Sequence, residues 1–234
     1  MKAVLFTKIF PEDNLEELAQ RVKKMGFQGI EYPFRSGYQV EIENAPRGLP
    51  SLAKAMKDEG IEITVATGNF DENNSSSVEA FYEAVGKQGI SFIRPAYYHS
   101  GGLYFWSQLE VARKKLKSLA KLSAKYGPKT LLHNHSGSLL TCSCSGARML
   151  ADTCDPEYVG IYIDFAHLSL DGEPFEMALG ICGEYLSLVG VKANRYIAGE
   201  RNEKGELQYK VEWIPLKDGI TDWTKAVKLL KKVK

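Results

Sequence analysis

Short apolar runs alternate with amphipathic segments along this chain. In the first amphipathic segment, Asn14 stands where a helix N-cap is expected and Gly26 stands where the helix should end. Apolar residues three and four positions apart give this segment one hydrophobic face, formed by Leu15, Leu18, Ala19, Val22 and Met25. The spacing predicts an α-helix over residues 14–25.

The same strand-and-helix unit repeats through seven apolar runs. The predicted strands cover residues 3–7, 29–32, 61–66, 90–95, 130–133, 161–164 and 186–192. The helices predicted between them cover residues 14–25, 49–59, 76–87, 106–126, 145–153 and 174–182. Strands joined through a helix pair in parallel, so the pattern predicts an α/β fold.

The choice among α/β folds depends on the turn after the first strand. No glycine-rich phosphate-binding turn is found there, which argues against a dinucleotide-binding fold. Length alone allows one barrel or two small domains. We predict one (β/α) TIM-barrel domain over residues 1–234.

Composition and charge narrow the function classes. With 44% apolar and 25% charged residues, the chain can build a core and is not disordered. Thirty basic and 29 acidic residues leave almost no net charge, which argues against nucleic-acid binding. No run approaches the roughly 20 apolar residues of a membrane span, and the first residues lack the apolar run of a signal peptide. We predict a cytoplasmic protein that acts on small molecules, with no nucleic-acid or membrane partner.

Polar residues that bind metals or move protons stand at the ends of several predicted strands. His133 and His135 face the same way because side chains alternate along a strand. Asp164 ends the next strand, His167 follows it, and Lys192 ends the seventh. Such groups are costly to bury without partners, so their recurrence at successive strand ends predicts one shared site. In β/α barrels the C-terminal strand ends carry the active site.

Earlier strands contribute three further candidates, Glu31, Asn69 and Arg94. A structural ion pair between Glu31 and Arg94 is the alternative to a functional role for these two.

The four cysteines, Cys142, Cys144, Cys154 and Cys182, are too few and too unevenly spaced to predict a disulfide framework. Cys142 and Cys144, beside a histidine pair, raise the alternative of a thiolate zinc site. Reduced thiols in a strand-to-helix loop are favoured, because no second Cys-x-x-Cys pair supports the metal.

Four segments carry a resemblance to a known family: GFQGIE at 26–31, LLHNHSG at 131–137, IDFAH at 163–167 and DGITDW at 218–223. They resemble the xylose isomerase-like TIM-barrel superfamily over nearly the whole chain. This superfamily contains sugar and sugar-phosphate isomerases and epimerases, inosose dehydratases, hydroxypyruvate isomerases and the apurinic endonuclease IV group. The resemblance is more specific for the fold than for the reaction.

The metal ligands that the resemblance implies are only partly present. In that family a divalent metal, often manganese, is held by a Glu on the fifth strand, an Asp on the sixth, a His on the seventh and a Glu on the eighth, and the two glutamates commonly move the proton. Here His133 stands at the fifth-strand position, Asp164 is kept, and Gly190 replaces the seventh-strand His, although Lys192 of the usual His-x-Lys pattern remains. The eighth-strand Glu has no counterpart before Lys234, so the resemblance implies a barrel whose eighth strand is missing.

The residues and the resemblance together give a set of predicted roles. His133, Lys192 and Glu31 are predicted to be catalytic, His133 because an imidazole titrates near neutrality. Asp164, His133 and His167 are predicted to bind a divalent metal (Mn, Zn or Co) in a site that is degenerate relative to the family. The residues predicted to bind substrate are His135, His167, Arg94, Asn69 and Trp106.

Trp106 belongs to a group of aromatic residues near the proposed mouth of the barrel. Aromatic rings line many ligand pockets, and the C–H faces of sugars stack on them. Packing of these rings against the barrel is the alternative.

These predictions support two functions and argue against a third. The first is an isomerase or epimerase that moves a proton between adjacent carbons of a small sugar or polyol, with or without the help of a metal. The second is a non-catalytic descendant that binds a sugar or a partner at the same mouth. Endonuclease-like DNA repair needs several metal sites and a basic groove, and the near-zero net charge argues against it.

A seven-stranded sheet leaves the first and seventh strands with open edges, which pair readily with other chains. Residues 207–213 alternate apolar and polar and predict a strand that forms a hairpin with residues 195–198 across a turn at 202–205. Instead of forming the hairpin, this segment could cover the open edges of the sheet. A second subunit in a homo-oligomer could also cover them.

Overall fold

The computed structural model describes residues 1–70, 75–100 and 104–233, except for the side chains of residues 75 and 76. The chain divides into two compact units. The first contains Met1–Tyr97, Arg113–Leu131 and Cys154–Val159, and the second contains Tyr98–Ala112, Leu132–Thr153 and Gly160–Lys234. The single domain predicted over residues 1–234 stays a prediction.

Seven parallel strands follow one another in chain order, as predicted. They are β1 (Val4–Phe6), β2 (Gly29–Phe34), β3 (Glu62–Gly68), β4 (Phe92–Arg94), β5 (Lys129–His133), β6 (Val159–Asp164) and β7 (Leu186–Gly190). The helices are α1 (Leu15–Lys24), α2 (Ala45–Asp58), α3 (Ser75–Lys87), α4 (Phe105–Tyr126), α5 (Cys144–Ala151), α6 (Phe165–Asp171), α7 (Phe175–Cys182) and α8 (Trp223–Leu230). β1 and β7 are the two ends of this strand order, and coverage of their edges by a second subunit stays a prediction.

The predicted hairpin is confirmed. β8 (Ala193–Arg201) and β9 (Leu207–Ile214) pair in antiparallel fashion, with Asn194 opposite Trp213 and Tyr196 opposite Val211. The predicted seventh strand extends two residues too far. The strand ends at Gly190, and Lys192 lies in the connection to β8.

The first unit has a large hydrophobic core between its strands and helices. All six residues of β2 are buried, as expected for a parallel strand that is covered on both faces. Asn14 caps α1 through a capping box with Glu17. Of the predicted apolar face, Leu18, Ala19 and Val22 are buried, whereas Met25 is the C-cap and is exposed. The strand register places Phe6 beside Glu31.

The second unit positions Asp164 through β6 and β7. Asp164 is the last residue of β6, and the register places it opposite Gly190. Helix α6 starts at the next residue, with Asp164 as its N-cap. Phe165, in the first turn, anchors α6 by packing its ring 5.6 Å from that of Trp223 and 5.5 Å from that of Phe175.

None of the helices in the ranges described above combines the length and apolarity that a membrane crossing requires.

Candidate active site

Asp164 is the centre of a polar cluster in the second unit. The other members of this Asp164 cluster are His133, Asn134, His135, Ser136, His167, Lys192 and Trp213. Its Oδ1 accepts a hydrogen bond from the backbone N–H of Ala166 at 3.1 Å, as a helix N-cap does. Its Oδ2 lies 2.6 Å from Nζ of Lys192 and 3.3 Å from Nε2 of His133. The residue is fully buried, so these partners offset the cost of removing its charge from water.

These partners determine the ionisation of Asp164. Burial alone would raise the pKa of this carboxyl, but the hydrogen bond with His133 and the charge of Lys192 lower the pKa well below the usual Asp value. An ionised carboxylate only accepts hydrogen bonds, so we assign the proton of this contact to Nε2 of His133. Nδ1 of His133 is then the basic nitrogen of the ring, and Asp164 fixes this tautomer.

Asn134 holds the ends of β5 and β6 together. Its Oδ1 accepts from the backbone N–H of Asp164 at 2.5 Å, and its own backbone N–H donates to the carbonyl of Tyr162 at 3.2 Å. The hydroxyl of Thr141 donates to the carbonyl of His133 at 3.0 Å. The backbones that carry Asp164 and His133 are therefore fixed by buried hydrogen bonds.

His167 extends the cluster away from Asp164. Its ring lies over that of His135, with centroids 3.8 Å apart and an angle of 33° between the planes. Nε2 of His167 lies 3.4 Å from Nζ of Lys192, and Nδ1 lies 2.9 Å from Oγ of Ser136. Because the Lys192 ammonium can only donate, we assign Nε2 as the acceptor and Nδ1–H as the donor to Ser136.

Trp213 of the hairpin brings an aromatic surface to the same cluster. Its ring centroid lies 5.8 Å from that of His167 and 5.2 Å from Nζ of Lys192. The residue is 55% exposed, so much of the indole remains open to a ligand.

Gly190 leaves no room for a side chain beside Asp164. A Cβ at this position would lie 2.9 Å from Oδ2 and 3.0 Å from Cγ of Asp164, and 3.1 Å from Cε2 of Tyr162. The place of the family's seventh-strand His is therefore filled by the side chains of β6.

The predicted metal ligands Asp164, His133 and His167 do not form a metal-binding group. Within the residues that the structure describes, no three or more His, Cys, Asp or Glu side chains are arranged to hold an ion. Oδ2 of Asp164 and Nε2 of His167, one atom from each of two predicted ligands, lie 2.6 and 3.4 Å from the Lys192 ammonium. The donor set therefore does not fit a divalent metal.

Glu31 and Arg94 lie in the first unit and form the buried ion pair that the sequence left as an alternative. Oε1 of Glu31 is 2.7 Å from Nη2 of Arg94 and accepts from the hydroxyl of Thr67 at 2.7 Å. Asn69, after β3, is exposed. The catalytic role of Glu31 and the substrate-binding roles of Arg94 and Asn69 stay predictions.

Trp106 lies in the first turn of α4, where it is 69% exposed and its ring contacts that of Phe105 edge-on. Its substrate-binding role also stays a prediction.

The cysteines are free thiols. A hydrogen bond with Cys182 and burial both raise the pKa of Cys144, which favours the neutral thiol over the thiolate that zinc requires. The choice of reduced thiols over a thiolate zinc site stays a prediction.

Residues 19–234 match the family described as xylose isomerase-like TIM barrel. The chain belongs to this family. The predicted family and the TIM-barrel fold class are confirmed.

The comparisons also give individual relatives. An inosose dehydratase of Lactiplantibacillus plantarum is 23% identical over 197 residues, which is 80% of this chain and 61% of that protein. This chain therefore spans less than two thirds of that relative's length. A probable 3-DHS dehydratase involved in petrobactin synthesis, from Bacillus anthracis, has 18% identity and a TM-score of 0.78, with 100% of this chain and 90% of that one covered. A 3-keto-D-glucoside 4-epimerase from E. coli has 19% identity and a TM-score of 0.66, with 81% of this chain and 78% of that one covered. At these identities the two solved structures show a shared fold.

The sequence did not identify three residues of the cluster: Asn134, Ser136 and Trp213. Asn134 and Ser136 flank predicted histidines, and this adjacency was the available signal. Trp213 belonged to a predicted strand, but nothing local indicates which face of that strand meets His167.

Proposed function

We propose that this protein acts on a sugar or polyol that carries a carbonyl group, and moves a proton between adjacent carbons at the Asp164 cluster. The contact that supports this most directly is the buried Asp164 carboxylate between the imidazole of His133 and the ammonium of Lys192. A base and a cation held on one rigid carboxylate are the two groups that removal of a proton next to a carbonyl requires.

In the proposed reaction, Nδ1 of His133 takes the proton from the carbon beside the carbonyl. The C–H electron pair becomes a carbon–carbon double bond, and the carbonyl oxygen takes the negative charge. Return of the proton from His133 to the former carbonyl carbon, while the hydroxyl proton moves from the oxygen of the first carbon to the former carbonyl oxygen, completes an isomerisation. In an epimerisation a water molecule protonates the opposite face of the same carbon, and His133 gives its proton to solvent. Asp164 stabilises the imidazolium that forms in between. Because the donor set does not fit a divalent cation, no step of this scheme passes through one.

The surroundings of the cluster favour a polyhydroxylated ligand. The exposed indole of Trp213 offers a stacking surface for the C–H face of a sugar. The relatives named for inosose and for 3-keto-D-glucoside support a polyhydroxy ketone as substrate.

Incubation with a panel of ketoses and inososes, followed by chromatography of the products, tests the proposal. We expect turnover by the wild type and a loss of about 10²–10⁴-fold in kcat for His133→Asn, the usual contribution of a general base. His99→Asn is the matched control, because His99 is an exposed histidine of the same unit, and it should leave kcat unchanged.

A second candidate is a non-catalytic sugar-binding protein. It is favoured by the replacement of the family's proton-moving Glu by His133 and of its metal-binding His by Gly190. Saturable sugar binding without turnover by the wild type would support this function over the enzymatic one.

A further inference from the structure

We infer that the ammonium group of Lys192 stands in place of a divalent cation at this site, where it binds the substrate carbonyl oxygen and stabilises the negative charge that develops there. The inference rests on the proposed proton transfer. It identifies the Lys192 ammonium as the group that would make this proton transfer independent of a metal.

The contacts of Lys192 place its charge on the carboxylate that also holds the ring of His133. Nζ lies 2.6 Å from Oδ2 of Asp164 and 3.4 Å from Nε2 of His167, and the side chain is 43% exposed. An ammonium has three N–H donors, and these two acceptors are its hydrogen-bond partners among the residues that the structure describes. One donor can therefore reach a ligand on the exposed side.

The same contacts oppose a metal ion at this position. A cation bound to Oδ2 of Asp164 and Nε2 of His167 would have to displace Lys192 from both atoms. Position 190 supplies no further ligand, because it is a glycine and even a Cβ there would lie 2.9 Å from Oδ2 of Asp164. An ammonium already supplies positive charge here, so a divalent cation beside it would meet electrostatic repulsion.

The chemical step conserves atoms and charge. As His133 takes the proton, the carbonyl oxygen gains the negative charge of the enolate and accepts a hydrogen bond from Lys192. When the proton returns to carbon, that charge disappears and Lys192 remains protonated. The ammonium thus stabilises the oxyanion without being consumed, as a fixed donor in an oxyanion hole does.

Two measurements on the wild type test the inference. Calorimetric titration with MnCl₂ and with ZnCl₂ should show no stoichiometric binding, and turnover should survive dialysis against a chelator. Stoichiometric binding that Asp164→Asn abolishes would overturn the inference, as would turnover that a chelator removes and Mn²⁺ or Zn²⁺ restores.

Variants of Lys192 test whether its ammonium stabilises the negative charge on the carbonyl oxygen. Lys192→Ala should lower kcat by about 10²–10³-fold, the usual effect of removing one oxyanion donor. Added ethylamine should restore part of this kcat in proportion to its concentration, because it returns an ammonium to the vacated space. Lys210→Ala, at an exposed lysine of β9, is the matched control and should keep the wild-type kcat. A Lys192→Ala enzyme with wild-type kcat, or one that ethylamine leaves unchanged, would contradict the inference.

These outcomes separate the inference from the proposed function. If the wild type turns over no sugar in the panel, the proposed function fails, and the metal titration alone still decides whether the Asp164 cluster takes a cation. Turnover that depends on His133 and on added metal would keep the proposed function and overturn the inference.

Discussion

Replacement of Gly190 by alanine should displace the side chain of Asp164, because Gly190 lies opposite Asp164 on the neighbouring strand β7. The new Cβ would lie 2.9 Å from Oδ2 of Asp164, 3.0 Å from its Cγ and 3.1 Å from Cε2 of Tyr162. Two of these contacts are with the carboxylate that holds Lys192 at 2.6 Å. Asp164 can move away only by weakening its contacts with Lys192, His133 or the N-terminus of α6.

The expected cost follows from this geometry. An added carbon in a well-packed interior typically destabilises a protein by about 1–3 kcal/mol. A change of 1 kcal/mol moves the Tm of a chain of this length by about 2–4 °C, so Gly190→Ala should melt several degrees below the wild type. Since a displacement of about 1 Å at a catalytic group can cost about 10²-fold, kcat should fall by that order.

Gly180→Ala is the matched control. Gly180 lies in α7, where a Cβ would meet no atom within 4 Å. Alanine is favoured over glycine in helices by about 0.5–1 kcal/mol, so this variant should be slightly more stable and equally active. Thermal and urea unfolding followed by circular dichroism, together with kcat, provide the comparison. Equal stability and equal kcat for the two variants would refute the packing at Gly190.

Three further predictions concern stability. Asn14→Ala removes the capping box of α1 and should cost about 1 kcal/mol in urea unfolding, and an unchanged midpoint would contradict the capping role. Glu31→Gln removes the carboxylate that pairs with buried Arg94 and should lower the free energy of unfolding by about 3–5 kcal/mol. Adding Arg94→Met should recover part of this loss, because no buried charge is then left unpaired. A double variant less stable than the single one would contradict this. The folded-state pKa of Asp164 lies below its unfolded value of about 3.9, so its contribution is present above that pH and is lost as the pH falls. The stability advantage of the wild type over Asp164→Asn should therefore shrink below about pH 4 in urea midpoints, and an advantage that grows there would contradict the depressed pKa.

Much of the fold could be predicted because each strand and helix carries its own periodic signal. The seven strands and the β8–β9 hairpin are present near the predicted positions. The bounds were less accurate. β4 is shorter than predicted, and α2 begins earlier, at Ala45, because proline is tolerated in the first turn of a helix. Helix α6 was not predicted because it starts directly after β6, so no separate turn marks the change from strand to helix.

The candidate site could be predicted only in part. Equivalent positions at the ends of adjacent parallel strands brought His133 and Asp164 to 3.3 Å, as the sequence implied. The contact of Lys192 with Asp164 and the approach of Trp213 depend on how the connections after β7 and β8 fold back. Such long-range packing has no local signal in the chain. For the same reason, the sequence could suggest Asp164, His133 and His167 as metal ligands, but not that Lys192 would face two of them.

Incorporation of deuterium from D₂O into a substrate is the most direct test of the central claim, that the Asp164 cluster moves a proton next to a carbonyl. The exchange can be followed by proton NMR for each ketose or inosose of the panel, without knowledge of the final product. We expect exchange at the carbon beside the carbonyl with the wild type, and a large loss of exchange for both His133→Asn and Asp164→Asn. Absence of exchange with every compound, or equal exchange by the wild type and both variants, would contradict it.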